Sequence, residues 1–214
     1  MRFNKVQLIL LVVTIMFLSC KPKKNITYRM TDEIRGAIAL DEGSYWIFKD
    51  SISGLEDSIW TGEYSITVEK LRSDEDGATE FVEYGRLPLY SDTGFVGALH
   101  TRTSPTYIGL SGSAFGFNPF PKLFHKPFES NKMISENPYG QFFFIKHYQS
   151  INIANVTYLD VYHTYSKYIS CLTCTSDTVN RHTYYSPQVG FVKISIENQG
   201  NLQVKELIKH TIVK

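Results

Sequence analysis

A chain of 214 residues that balances 22 Lys+Arg against 21 Asp+Glu has no electrostatic reason to bind nucleic acid, which takes many cations to displace the counterions of the phosphates. Fourteen Tyr and fourteen Phe favour strands over helices, and the length suits one domain. No cofactor and no metal are implied, since the sequence holds neither a phosphate-cradling glycine loop nor an H-E-x-x-H pair.

Met1 to Cys20 has the layout of an export signal: Arg2 and Lys5 give a positive start, Leu8 to Leu18 is nearly all apolar, and Ser19 precedes Cys20. A membrane-spanning helix needs about 20 apolar residues, and this run reaches roughly half of that. Phe17-Leu18-Ser19-Cys20 resembles the lipobox of bacterial lipoproteins. That resemblance implies removal of residues 1–19 and a diacylated Cys20, which would fix the chain to a membrane. Without Arg2 and Lys5 the charge balance is 20 against 21, a net of −1. Residues 20–30 read as a lipidated tether, its Lys21-Pro22-Lys23-Lys24 cluster solvated or touching anionic headgroups. Residues 31–214 read as a single β-rich domain.

Thr31 to Leu40 fits a short helix, capped by Thr31 or Asp32, with Ile34, Ala37, Ile38 and Leu40 on one side. From Ser44 the pattern turns to strands. Tyr45-Trp46-Ile47-Phe48 is a compact aromatic strand, Ser53-Gly54 a turn, and Ser58-Ile59-Trp60 begins a second strand. Tyr64, Ile66 and Val68 alternate with Ser65, Thr67 and Glu69, which predicts a half-buried strand. Asp74-Glu75-Asp76-Gly77 turns the chain into a partner strand over Phe81 to Leu87. Short strands are expected near 94–101 and 106–110, followed by the irregular stretch GFNPFPKLFHKPF. Gln141 to Tyr148 is apolar at consecutive positions, so the strand should have both faces covered or lie next to a lid. Val156 to Tyr168, Arg181 to Tyr185, Gly190 to Glu197 and Leu202 to Ile212 read as successive strands, with a hairpin at Gln199-Gly200-Asn201. The expected fold is mainly β: an antiparallel meander forming a curled sheet, half-barrel or barrel, with at most one or two short helices.

Gly43 to Ser51 (GSYWIFKDS), and Tyr184-Tyr185 with Val189-Gly190-Phe191-Val192-Lys193 before a last strand ending in Glu206-Leu207-Ile208, resemble a pattern in small lipoproteins of Bacteroidetes. The resemblance covers about a fifth of the mature chain, at its two ends. It implies a curled antiparallel sheet similar to the half-barrels of lipoprotein-carrier proteins, and no catalytic residues. It also implies O-glycosylation at Asp-Ser/Thr-apolar triplets, which picks out Ser51, Ser58 and Thr178; the same triplets describe ordinary turn-to-strand transitions. Asn25 and Asn155 open N-glycan sequons, which carry no weight in a bacterium. The basic residues after Cys20 favour an outer-membrane position facing the periplasm.

Cys171 and Cys174, flanked eight residues away by His163 and His182, resemble a zinc ligand set. Eight residues of extended strand reach about 26 Å, whereas zinc needs its donors within about 2.3 Å, so the set is rejected unless both flanks fold back. A disulfide clamping a loop, or a free pair, remains for the two thiols. Gly109-Leu110-Ser111-Gly112-Ser113 misses the last glycine of a nucleophile elbow, and the acidic turn at 74–76 lacks the alternation of a calcium loop. No enzyme is expected. Phe115, Phe117, Phe120, Phe124 and Phe128 form an aromatic segment that either plugs one end of the sheet or roofs an apolar ligand, with Phe142 and Phe144 as the floor. The partners expected are therefore the membrane, through the lipid, and either an apolar small molecule or another envelope protein. Two function classes follow: a non-catalytic module binding an apolar ligand, or an assembly lipoprotein contacting another envelope protein.

Overall fold

The computed structural model describes residues 25–73, 79–92, 94–101, 107–111, 122–125, 129–137, 140–169 and 178–214. In chain order the elements are β1 (Ile26–Tyr28), α1 (Asp32–Ile38), β2 (Tyr45–Asp50), β3 (Glu56–Thr61), β4 (Ser65–Ser73), β5 (Thr79–Ser91), β6 (Gly94–His100), β7 (Tyr107–Ser111), β8 (Lys122–His125), β9 (Lys132–Asn137), β10 (Gly140–Ile153), β11 (Val156–Ile169), β12 (Thr178–Ser186), β13 (Gly190–Asn198) and β14 (Asn201–Thr211). The strands join in one sheet of order β8-β7-β6-β5-β3-β2-β14-β13-β12-β11-β10-β9, and β1 and β4 attach to β5 off this path. All described pairings are antiparallel except that of β1 with β5. The sheet is not closed into a barrel. It curls, because the backbone of β8 comes within 8 Å of β11 and β12.

Most neighbours in this order are joined by local hairpins. The turn between β13 and β14 shows why: Gln199 and Gly200 both take positive φ (51° and 79°), the mirror-type turn whose twist matches the flanking strands. The exceptions are β3 with β5, between which β4 intervenes in the chain, and β2 with β14, where the two ends of the chain meet. Trp46, Phe48 and Leu207 are buried there, and the indole N–H of Trp46 donates to the Val189 carbonyl at 2.5 Å. Gly190 lies flat against that indole at φ +92°; a Cβ there would stand 3.0 Å from the ring. The chain end is held as well, since Ser44 and Val213 exchange hydrogen bonds and Asp41 N–H donates to the Val213 carbonyl.

Helix α1 fills the concave side. Thr31 caps it by accepting from the Ile34 N–H, and Asp32 and Glu33 complement the positive end of the helix dipole. Ile34, Ala37 and Ile38 are fully buried, as is Leu40 just beyond. Glu83 on β5 accepts two bonds from the Arg35 guanidinium and one from the Met30 N–H, tying the helix entry to the sheet. At the other end Tyr185 donates to the Ala37 carbonyl at 2.8 Å, satisfying one of the acceptors a helix terminus leaves open. Seven residues with Gly36 among them are too few for an isolated helix, so these tertiary contacts hold it.

Three sequence expectations change. The sheet begins at Ile26, inside the stretch read as tether, because β1 pairs with β5. The alternation of β4 does not mark a half-buried strand: Ile66 is 43% and Val68 59% exposed, since among the described residues β4 pairs with β5 alone and forms an edge. In β10 only one face is buried; Phe142 and Phe144 point inward, while Phe143 is half-exposed beside Tyr165. An aromatic outward face hid the period of two.

The seam between chain ends is the costliest place to alter. Trp46→Ala should lose about 3–5 kcal/mol of unfolding free energy, measured by urea titration. Gly190→Ala should lose about 1–3 kcal/mol by the same measurement, because the added Cβ meets both a positive φ and the indole face.

Candidate functional site

The sheet register, not the sequence spacing, assembles the main cluster of titratable and aromatic side chains. Residues directly opposite each other on antiparallel strands share a face. On β11 and β12, His163 lies opposite Tyr184 and Tyr165 opposite His182; β10 adds Lys146 beside His163 and Phe143 beside Tyr165. These side chains stand on the face away from α1. His163 stacks nearly parallel on Tyr184 at 4.2 Å, and Tyr148 lies beside the pair, 6.5 Å from His163 and 6.4 Å from Tyr184. The Lys146 ammonium sits 4.8 Å from the Tyr148 ring centre and continues the row. A second row runs from Phe143 to Tyr165 to His182, at 5.9 and 4.9 Å. His163 Nε2 and His182 Nδ1, 2.9 Å apart, link the two rows.

Although it stands on an outward face, His163 is only 7% exposed, because its neighbours' rings cover it. Its Nδ1 is buried with no hydrogen-bond partner among the described residues. We assign the shared proton to His163 Nε2, which leaves a bare lone pair, not an N–H, at that buried atom. Charging the ring would bury an unpaired cation, so burial, with His182 beside it, pushes His163 down to about 4. Burial also lowers His182, partly offset by the Glu197 carboxylate. Tyr165 and Tyr184 are raised by burial. Both imidazoles are thus neutral at pH 7. Among the described residues no group of three or more His, Cys, Asp or Glu is placed to hold a metal ion.

Two further polar groups face the concave side. Arg181, fully buried, bonds the Tyr168 hydroxyl and stacks 4.7 Å from its ring; burial lowers the guanidinium to about 10. Near the far end of β10, the Asp160 carboxylate meets His147 Nε2 at 2.5 Å, and His147 stacks on Tyr162 at 4.4 Å. Asp160 takes a positive φ of 54° in mid-strand, a position that non-glycine residues avoid. A carboxylate-oriented imidazole recurs in acid–base sites and equally in structural ion pairs.

The sequence-predicted residues fare unevenly. Cys20, Cys171, Cys174, Phe115, Phe117, Phe120 and Phe128 lie outside the described residues, and Phe124 is placed only as backbone in β8. Phe142 and Phe144 are together on the concave face, 3% and 2% exposed. Ser51 is exposed on a turn that Asp50 builds by accepting the Ile52 and Ser53 N–H groups, both at 2.8 Å. Those bonds, Ser53's first, hold the Asp50 carboxyl below its ordinary range. Ser58 lies within β3, and Thr178 is exposed at the start of β12.

The register of β11 with β12 brings the rings of His163 and His182 into contact, whereas Cys171 and Cys174, the other half of the zinc set rejected on distance, lie outside the described residues. The six residue steps of β11 from His163 to Ile169 still span about 20 Å along the strand. What the sequence reading missed is the ring ladder. Its signal was the spacing of two in His163/Tyr165 and His182/Tyr184, an aromatic outward face on adjacent strands.

No family model matches the chain, and no curated protein does. Two solved structures resemble it. One is a candidate lipoprotein from Parabacteroides distasonis, with a TM-score of 0.42 and 15% identity over 88% of this chain and 100% of that one. The other is a candidate exported protein with a YmcC-like fold from Bacteroides fragilis, with a TM-score of 0.46 and 10% identity over 81% of this chain and 98% of that one.

The buried imidazole ties stability to pH. The unfolded chain takes up a proton near pH 6.5 that folded His163 refuses until about 4, so its contribution is complete above pH 6.5 and is lost as pH falls through that window. Urea titrations at pH 7 and pH 4.5 should show the wild type losing on the order of 2–3 kcal/mol more than His163→Phe. Equal losses would remove the ring from this account.

Proposed function

We propose that the chain is a lipid-anchored bacterial envelope protein whose β domain is a non-catalytic binding module that works through its outer surface and edges. The observation carrying this reading is the filled concave side. Trp46, Phe48, Tyr185, Ile34, Ile38 and Leu40 occupy it at 1% exposure or less, whereas Ile66, Val68, Leu159 and Leu202 are more than 40% exposed outside. Exposed apolar groups of this kind are where soluble domains meet partners. The anchor is supported by the lipobox-like residues Phe17-Leu18-Ser19 before Cys20. An outer-membrane site facing the periplasm belongs to the same proposal. The His163–His182 ladder supports a structural role for the richest chemical cluster, since its ring faces are spent on one another.

A second reading, an apolar ligand held under the Phe-rich segment, draws support from Phe142 and Phe144 on the concave face. Both are already covered, so such a ligand would have to replace their present cover.

Two measurements test the pair. Growth with labelled palmitate should mark the wild-type chain in the membrane fraction, and Cys20→Ser should lose the label and leave that fraction; persistence of both would refute the anchor. Native mass spectrometry of the Cys20→Ser chain should show no retained lipid. A lipid retained one to one would turn the choice to the apolar-ligand reading.

A further inference from the structure

Strand β4 is an open edge. Its side chains from Ser65 to Lys70 are all exposed, and among the described residues it pairs only with β5. Ile66 and Val68 share one face, and the register with β5 slips between Lys70 and Arg72, so the flat, regular part of the edge is Ser65 to Glu69. Exposed edges are ordinarily blunted by proline, by bulges or by charges; this stretch has no proline, and its one charge, Glu69, lies at the end.

The sequence of that edge is complementary to itself. When two copies are laid antiparallel about a twofold axis through Thr67, Ile66 of each lies opposite Val68 of the other, on one face. Thr67 meets Thr67, and Glu69 meets Ser65. Apolar β-branched pairs and Thr–Thr pairs are the favourable cross-strand neighbours. Sliding the copies by four residues would set Glu69 against Glu69, a repulsion that penalises this alternative register.

We propose that β4 is a homotypic docking edge, through which two copies of this chain continue each other's sheet in that register. Five residues a side make a small interface, so the pair is weak between freely diffusing copies. Confinement to one bilayer raises the effective concentration of each copy for the other. To that extent the inference rests on the proposed anchor, although the pairing geometry does not.

Opposed residues on paired strands have Cα atoms about 4.5–5.5 Å apart, within the span of a disulfide. The test is a Thr67→Cys chain, full length and bearing its acyl chains, in phosphatidylglycerol–phosphatidylcholine vesicles under mild oxidation, with peptide mapping of the cross-links. A peptide linked from 67 to 67 is expected. Glu69→Cys, whose 69–69 separation in this register is about 13 Å, should give none. Adding Val68→Lys to Thr67→Cys should lower the yield at least tenfold.

The same mapping on a Cys20→Ser, Thr67→Cys chain at millimolar concentration should also find the link, formed more slowly. If intact mass confirms acylation and neither arm yields the 67–67 peptide, or if the Glu69→Cys chain links as readily, the docking edge is overturned. If the chain carries no acyl group yet the solution arm links, the docking edge stands and the anchor falls.

Discussion

The seam between β2 and β14 is the constraint on which the rest of this sheet depends. Nearly every other neighbouring pair on the main path is a hairpin or a short connection, whose closure costs little chain entropy. Trp46 and the Val189 carbonyl it bonds are 143 residues apart. Until that contact forms, the β2–β8 arm and the β9–β14 arm are two separate meanders, with β2 and β14 unpaired at their facing ends. The seam joins them through buried apolar contacts: Trp46 on Gly190, and Phe48 opposite Leu207. Helix α1 bridges the same gap on the concave side, with Glu83 at its entry and Tyr185 at its exit. Such a fold has high contact order, and its late step is the meeting of its two ends.

On the opposite face, the problem is how to keep a histidine buried where no core covers it. The ring ladder from Lys146 through Tyr148 and His163 to Tyr184 does this by stacking across three strands. The Lys193–Glu206 ion pair at 2.7 Å spans β13 and β14 beyond it. The cost is a ring that must remain neutral, which ties this part of the sheet to pH. The same stacking explains why an assembly of His and Tyr that looks chemically rich on paper is occupied with itself.

Parts of this were legible in the residues, and the reasons are local. Thr31 followed by acidic residues and spaced Ile/Ala reads as a capped helix because the capping bond lies within one turn. Gln199-Gly200 reads as a hairpin because φ is a property of those two residues. Other parts were out of reach. The reading of β4 as half-buried applied a sound period-two rule to a strand that no second layer covers among the described residues. The contact between His163 and His182, nineteen residues apart, depends on the register of β11 with β12, which no local signal gives. Asp160, at positive φ in mid-strand, gives no local warning at all.

Local signals in the residues mark most of the strands, the turn after β13 and the start of the single described helix, but not β1, β8 or β9, which carry no clear alternation of their own. Alternation specifies two faces for each strand, and capping and turn residues specify its ends. Only the tertiary structure decided which strands are neighbours, which face is covered, and which edge is left open. Those outcomes depend on pairings between residues far apart in the chain, and a one-residue change of register would exchange the buried face for the exposed one.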